Sequence, residues 1–137
     1  APCHVVDLLP TILEATGARY PKEREGRPLQ PMDGESLLPM LLGQPWERQQ
    51  PLYWEHEGNA AVRAGNLKLV RKFNQPWELY DMEVDRTELN DLAGRHPDRV
   101  RRLDLQYRHW ADEVGVQDWN LLLPRLLATW EMDDAHG

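Results

Sequence analysis

The segment LYWEHEGNAAVRAGNLKLVRKFNQPWELYDMEVDRTELNDL, residues 52–92, decides the fold. Leu52 to Glu55 alternates as a strand does, with Leu52 and Trp54 on one face and Tyr53 on the other. Ala60 to Arg63 pairs with Leu67 to Lys72 across Gly65-Asn66, a dipeptide that tolerates the positive φ of a tight turn. Leu67, Leu69 and Arg71 then face one way, and Lys68, Val70 and Lys72 the other. Asn74-Gln75-Pro76 turns the chain into a last strand, Trp77 to Tyr80, whose drier face carries Trp77 and Leu79. The pattern predicts a four-stranded antiparallel meander. Three of the six tryptophans, Trp46, Trp54 and Trp77, lie in it or just before it, where such large flat side chains are expected to build a core.

Downstream, His96-Pro97-Asp98 opens the clearest helix in the chain. Pro97 fits the first helical position and Asp98 the positive end of the helix dipole. Val100, Leu103, Tyr107, Trp110, Ala111 and Val114 recur at helical spacing, and Gly115 ends the run. An amphipathic helix after an open sheet is expected across the sheet's apolar face, an α+β arrangement. Asp118 to Trp130 is apolar but interrupted by Pro124, and reads as two short helical pieces or a frayed tail.

Upstream, His4 to Gly17 reads as a helix capped by Asp7 through its first-turn amides, with an apolar stripe of Leu8, Leu9, Ile12, Leu13 and Ala15. Ala18 to Gly34, with Pro21, Pro28 and Pro31, reads as an irregular surface crossing. Ser36 is placed to cap, and Gly43 to stop, a helix of roughly two turns. These boundaries divide the chain into residues 1–50, 51–116 and a tail, 117–137.

The chain has 137 residues, 41% of them hydrophobic and 28% charged, room for one modest core. Its formal charge of −7 argues against nucleic acid or an anionic membrane surface as partner, because either calls for a basic patch. No apolar run reaches the length of a membrane span. The single cysteine, Cys3, excludes an internal disulfide and leaves the compartment open. Ala-Pro-Cys-His at the start, without methionine, suggests a beginning in mid-protein, although processing or cloning yields the same end.

Most candidate chemistry has a plainer reading. His56-Glu57 lacks the second histidine one helical turn on that a zinc protease needs; Ala60 stands there. Asp81-Met82-Glu83-Val84-Asp85 resembles the opening of a calcium loop, but Arg86 replaces the glycine of the bend and Leu92 the bidentate glutamate. A solvated turn, with Asp and Thr87 capping backbone amides, accounts for it. Cys3 beside His4 reads as a partly buried, inert thiol rather than a nucleophile. The arginines of 99–108 interleave with Asp98, Asp104, Asp112 and Glu113 as a solvated helix face. Ser36 lacks the second glycine of a nucleophile elbow. His56, Glu57, Asn59 and Arg63, around Gly58, form either a polar loop or one edge of a ligand pocket in something larger.

The order of segments resembles the sulfatases, enzymes of the alkaline-phosphatase-like superfamily. Asp7-Leu8-Leu9-Pro10-Thr11-Ile12-Leu13-Glu14-Ala15-Thr16-Gly17 is similar to their D-x-x-P-T-L-L-x-x-x-G helix, and Asp33-Gly34-Glu35-Ser36-Leu37-Leu38-Pro39 to their D-G-x-S-L-L-P segment. Trp54 to Asn59, Ala61 to Val70 and Trp77 to Asp81 resemble W-E-H-E-G-N, A-V-R-x-G-x-W-K-L-V and W-E-L-Y-D, and Glu88 to Leu92 completes the series. Leu67 departs from the tryptophan usual there and keeps an apolar packing role. The resemblance runs over roughly residues 4–116 and matches the C-terminal portion of an arylsulfatase-type enzyme.

That resemblance implies a four-stranded antiparallel sheet packed on a C-terminal helix, preceded by helical and loop segments from the end of a larger α/β sulfatase domain. It implies a parent that hydrolyses sulfate esters with a formylglycine, made from a cysteine or serine in C/S-x-P-x-R, and a calcium ion held by aspartates and an asparagine. None of these catalytic or metal residues maps here: Cys3 is followed by His4, Val5, Val6 and Asp7, and the adjacent pair Asp133-Asp134 sits at the tail. The expected partners are therefore a missing N-terminal catalytic domain and a small sulfate-ester substrate. His56, Glu57, Asn59 and Arg63 become candidate substrate-side residues. The chain alone is expected to be inactive and to expose its first helix or self-associate through it. Two alternatives remain: a non-catalytic interaction module on the same fold, or the end of a related phosphodiesterase or phosphonate hydrolase.

Overall fold

The structure is a computed structural model that describes residues 2–134, with side chains through residue 128. The chain forms two compact units, Ala1–Gln50 and Pro51–Gly137.

In the first unit a single 3-10 turn, Val5–Asp7, leads into helix α1, Leu8–Thr16, which ends on Gly17 in the left-handed region at φ 70°. The Asp7 carboxylate does not cap α1. It is buried, and accepts hydrogen bonds from the backbone N–H of His4 (2.7 Å) and of Glu35 (3.0 Å) while pairing with the Arg48 guanidinium. A carboxylate inside a protein needs such partners, and these reach it from three separate segments. The Thr11 hydroxyl adds a second tie, donating to the Asp7 carbonyl at 2.6 Å and accepting from the Leu37 N–H at 2.9 Å. Gly34 is what permits the approach, since a Cβ there would stand 2.0 Å from the Val6 carbonyl oxygen.

Two further expectations for this unit change. Within the stretch read as irregular, β1 (Glu23–Arg24) and β2 (Arg27–Pro28) pair across Glu25-Gly26, whose φ angles are 53° and 73°. Two-residue strands are too short for alternation to reveal. Helix α2, Leu38–Leu41, is one turn rather than two, because Gly43 turns the backbone to φ 75° and Pro45 follows. Ser36 does serve its start, its hydroxyl accepting from the Leu38 N–H at 3.2 Å. The outer side of α1 stays in water, with Leu8 56%, Leu9 46% and Ile12 58% exposed.

The second unit is α+β. Strands β3 (Leu52–His56), β4 (Asn59–Ala64), β5 (Leu67–Arg71) and β6 (Glu78–Asp81) form an antiparallel sheet in that order. Register brings Tyr53, Val62, Leu69 and Leu79 into one row. Helix α3, Pro97–Val114, covers this row, and Val62, Leu69, Leu79 and Leu103 are removed from water completely. Each such side chain contributes about 1.5–3 kcal/mol relative to leaving it exposed. Aromatic rings close the rim: Tyr53 stacks on Trp110 at 5.1 Å, and Trp77 meets Tyr107 edge-on at 5.5 Å. Trp54, expected in the core, lies on the other sheet face and is 36% exposed, because a strand's side chains alternate and Tyr53 takes the inner side. Val114, at the frayed end of the α3 stripe, is also exposed.

The segment after β6 protects a sheet edge. The Leu79 N–H donates to Asp91 Oδ1 at 2.9 Å and its carbonyl accepts from the Leu92 N–H at 2.8 Å, so the outward groups of the edge strand are satisfied. The acidic turn is held by Asp85, whose carboxylate accepts from the Leu89 and Asn90 amides. Helix α4, Trp119–Asp134, is one helix running through Pro124 rather than two pieces, begun by Asp118, which accepts from the Asn120 N–H at 2.9 Å. No helix among the described residues is long and apolar enough to cross a membrane.

Burial, the largest single influence on Asp7, pushes its pKa up, but the Arg48 and amide hydrogen bonds and the Arg48 charge together hold it below the usual carboxylate range. Because the folded value is the depressed one, this stabilisation is complete above about pH 4 and is lost as pH falls through the folded pKa. The protection factors of the amides at residues 34–37, relative to their intrinsic exchange at the same pH, should therefore fall in acid. Asp7→Asn should remove that acid dependence and destabilise the first unit by about 3–5 kcal/mol, since it leaves the Arg48 charge buried without its partner.

Candidate functional site

The polar residues singled out from the sequence sit on and beside the β3–β4 turn. Only Glu57 and Gly58 separate His56 from Asn59, which pair directly. Both turn residues have positive φ, 53° and 79°, the combination of a tight hairpin turn that suits the sheet's twist. For glutamate this conformation is unfavourable, and such strain gathers where function needs a fixed geometry. Gly58 is required twice over: beyond its φ, a Cβ there would lie 2.4 Å from the Phe73 ring. Glu55 braces the turn from within, its Oε1 accepting from the Gly58 N–H at 2.8 Å.

His56 and Glu57 project outward, with side chains 82% and 61% exposed and 3.9 Å between Nδ1 and Oε2. Both are available to a ligand. Asn59 is occupied: its Nδ2 donates to the His56 carbonyl at 2.8 Å and its Oδ1 accepts from the Phe73 N–H at 3.1 Å, clipping the β5–β6 loop to the turn. Arg63 stands apart, at the far end of β4 beside the next turn, about 13 Å along the strand from Asn59. It shares the outer sheet face with His56 and Asn59 and donates from Nε to the Gly65 carbonyl at 2.8 Å. Burial chiefly lowers its pKa, Asp81 opposing and Arg86 adding, and it remains a cation. The turn thus gathers three of the four residues and leaves Arg63 at a separate position on the same face.

Sequence reasoning missed the clip through Phe73 and the brace from Glu55. The spacing from Asn59 to Phe73 is set by strand register, and the only signal was that Glu55 alternates out of phase with His56. Among the described residues no group of three or more His, Cys, Asp or Glu side chains comes together to hold a metal ion. Cys3 is exposed rather than partly buried. It is followed by His4-Val5-Val6-Asp7 rather than x-P-x-R, which does not fit formylglycine formation.

The chain is similar in sequence and in fold to known proteins. An uncharacterized sulfatase of Schizosaccharomyces pombe is 33% identical over 119 residues, which are 82% of this chain and 22% of that protein. The choline-sulfatase of Rhizobium meliloti is 31% identical over 125 residues, covering 82% of this chain and 23% of the relative. In fold, the crystal structure of Ps i-CgsB matches with a TM-score of 0.65 at 23% identity, over 80% of this chain and 24% of that one. A structure solved with its substrate D-glucosamine-2-N,6-O-disulfate matches with a TM-score of 0.57 at 23% identity, over 82% of this chain and 24% of that one. No protein-family model matches the chain. The α+β unit is of the kind found in these proteins, and the chain spans about a quarter of their length or less. Sequence and fold together mark it as a C-terminal portion of the sulfatase family.

Gly58→Ala should lower the unfolding free energy by more than Gly65→Ala. Gly65 has φ 55° but open space around it, so its substitution meets only the backbone penalty of about 1 kcal/mol, whereas Gly58→Ala must also displace Phe73. Denaturant unfolding of the two variants checks the order. Asn59→Ala should leave global stability within about 1–2 kcal/mol but speed exchange of the Phe73 amide selectively.

Proposed function

We propose that this chain is the C-terminal portion of an enzyme that hydrolyses sulfate esters, and that it closes one side of the substrate pocket. The formylglycine and calcium chemistry would belong to the remainder of that enzyme, and its donors are supplied there. The observation that carries this reading is the match to sulfatases over four-fifths of the chain, at 33% and 31% identity. The turn supports a substrate-side role: it is rigidly braced, yet holds His56 and Glu57 out in solvent. Asn59 contributes by fixing the turn, and Arg63 offers a cation for a more distant part of an anionic substrate.

The exposed side of α1 supports a partner as well. Leu8, Leu9 and Ile12 form an apolar strip of the kind a catalytic domain would cover. In the chain alone the same strip favours self-association, which sedimentation velocity reads as concentration-dependent mass.

In the complete enzyme, His56→Ala should raise KM for an aryl sulfate several-fold with kcat largely retained, the pattern of a binding contact outside the chemical step. The 137-residue chain alone should give no turnover of 4-nitrophenyl sulfate. Hydrolysis by the chain alone would overturn the reading. A complete enzyme that cleaves phosphodiesters and leaves sulfate esters intact would replace it with the related hydrolase.

A further inference from the structure

Behind the β3–β4 turn, on the α3 face of the sheet, lies a cavity of about 500 Å³. It is a half-open cleft within the second unit, lined by Glu55 and Gly58 of the turn, Arg71 and Phe73 at the end of β5, Tyr107 of α3, and Trp119 at the start of α4. It opens away from His56, which projects from the opposite sheet face, since Glu55 alternates with His56 along β3. Glu55, Ala60 and Arg71 form one row across three strands, which sets Glu55 and Arg71 two strand spacings, about 10 Å, apart.

Both charged groups of that row are held in place before any ligand arrives. Glu55 accepts from the Gly58 amide, and the Arg71 guanidinium lies 4.5 Å above the Trp77 ring and 5.7 Å from the Tyr107 ring. Cations over aromatic faces are pinned by the ring quadrupole, which lowers the entropy lost on binding. The remaining charges are mixed: Arg108 faces the cavity with Asp112 and Asp118, and Asn120 stands beside them. A free anion would meet three carboxylates there, and a free cation would meet two guanidinium groups. Hydroxyl groups donate to carboxylates and accept from guanidinium at once, so a neutral polyhydroxyl ligand satisfies both signs. Phe73 and Trp119, both partly exposed, offer ring surface to the C–H side of a sugar ring, while Tyr107 is buried beneath them. The volume is in the range of small-molecule sites, about 300–1,000 Å³.

We propose that this cavity binds a pyranose ring of a neutral saccharide, at a site separate from the His56 turn and independent of sulfate-ester chemistry. The test is a titration of the isotope-labelled, unaltered chain with lactose and with N-acetylglucosamine, following amide and indole resonances. At least one sugar should give saturable, millimolar shifts at the Gly58 amide and the Trp119 indole, while sodium sulfate gives none there. Trp119→Ala should weaken the binding about tenfold, and Arg71→Met by a similar factor, with His109→Ala on the outer side of α3 leaving it unchanged. Saturable shifts at these two positions with sulfate, or none with either sugar, would overturn the proposal.

Discussion

With only two residues between His56 and Asn59, the pairing of β3 with β4 has no slack. Register in a sheet is binary for side-chain placement, since a slip of one residue sends every side chain to the other face. Here that choice puts Tyr53 and Val62 under α3, and with them the whole row that ends at Leu79. It also decides that Glu55 points inward and His56 outward. Gly58 enforces the choice from both sides, through its backbone conformation and through the Phe73 ring seated where a side chain would be. A single tight turn therefore arranges the core, the outward polar residues and the inward cavity together.

The first unit is organised differently. Residues spread over more than forty positions, from His4 to Arg48, meet around one buried carboxylate. Asp7 gathers the amides of His4 and Glu35 and the side chain of Arg48, and Thr11 ties in Leu37. Asp7, Thr11 and Gly34 belong to the segments that resemble the sulfatase pattern, and their geometry explains why those residue types stand there. They hold a loop against a helix. In the second unit, Asp91 and Leu92 of the last such segment serve the edge of β6.

Most of the sheet was legible from alternation alone, and α3 from its apolar spacing and its terminal proline and glycine. Periodicity works where one face of an element is wet and the other dry. It failed for β1 and β2, two residues each, and it mistook the role of Trp54, whose size suggested the core while its phase placed it outside. Capping is a local pattern, and Asp7 fits it in sequence; its actual partners at positions 35 and 48 are set by tertiary contact. The turn at 56–59 was recognisable as polar and tight. That Asn59 is consumed by Phe73, and that Arg63 lies a strand's length away, depends on register that composition does not carry.

The two units also differ in what their burial consists of. Val62, Leu69, Leu79 and Leu103 give the second a dry aliphatic interior, whereas in the first Leu37 is the one buried hydrophobic residue among those described, beside the charged Asp7. Exposing apolar surface raises heat capacity and exposing polar surface lowers it. Opening of the first unit therefore carries a small heat-capacity change, so its stability varies weakly and almost linearly with temperature. The sheet unit, by contrast, follows the curved profile of an aliphatic core and weakens on cooling as well as on heating.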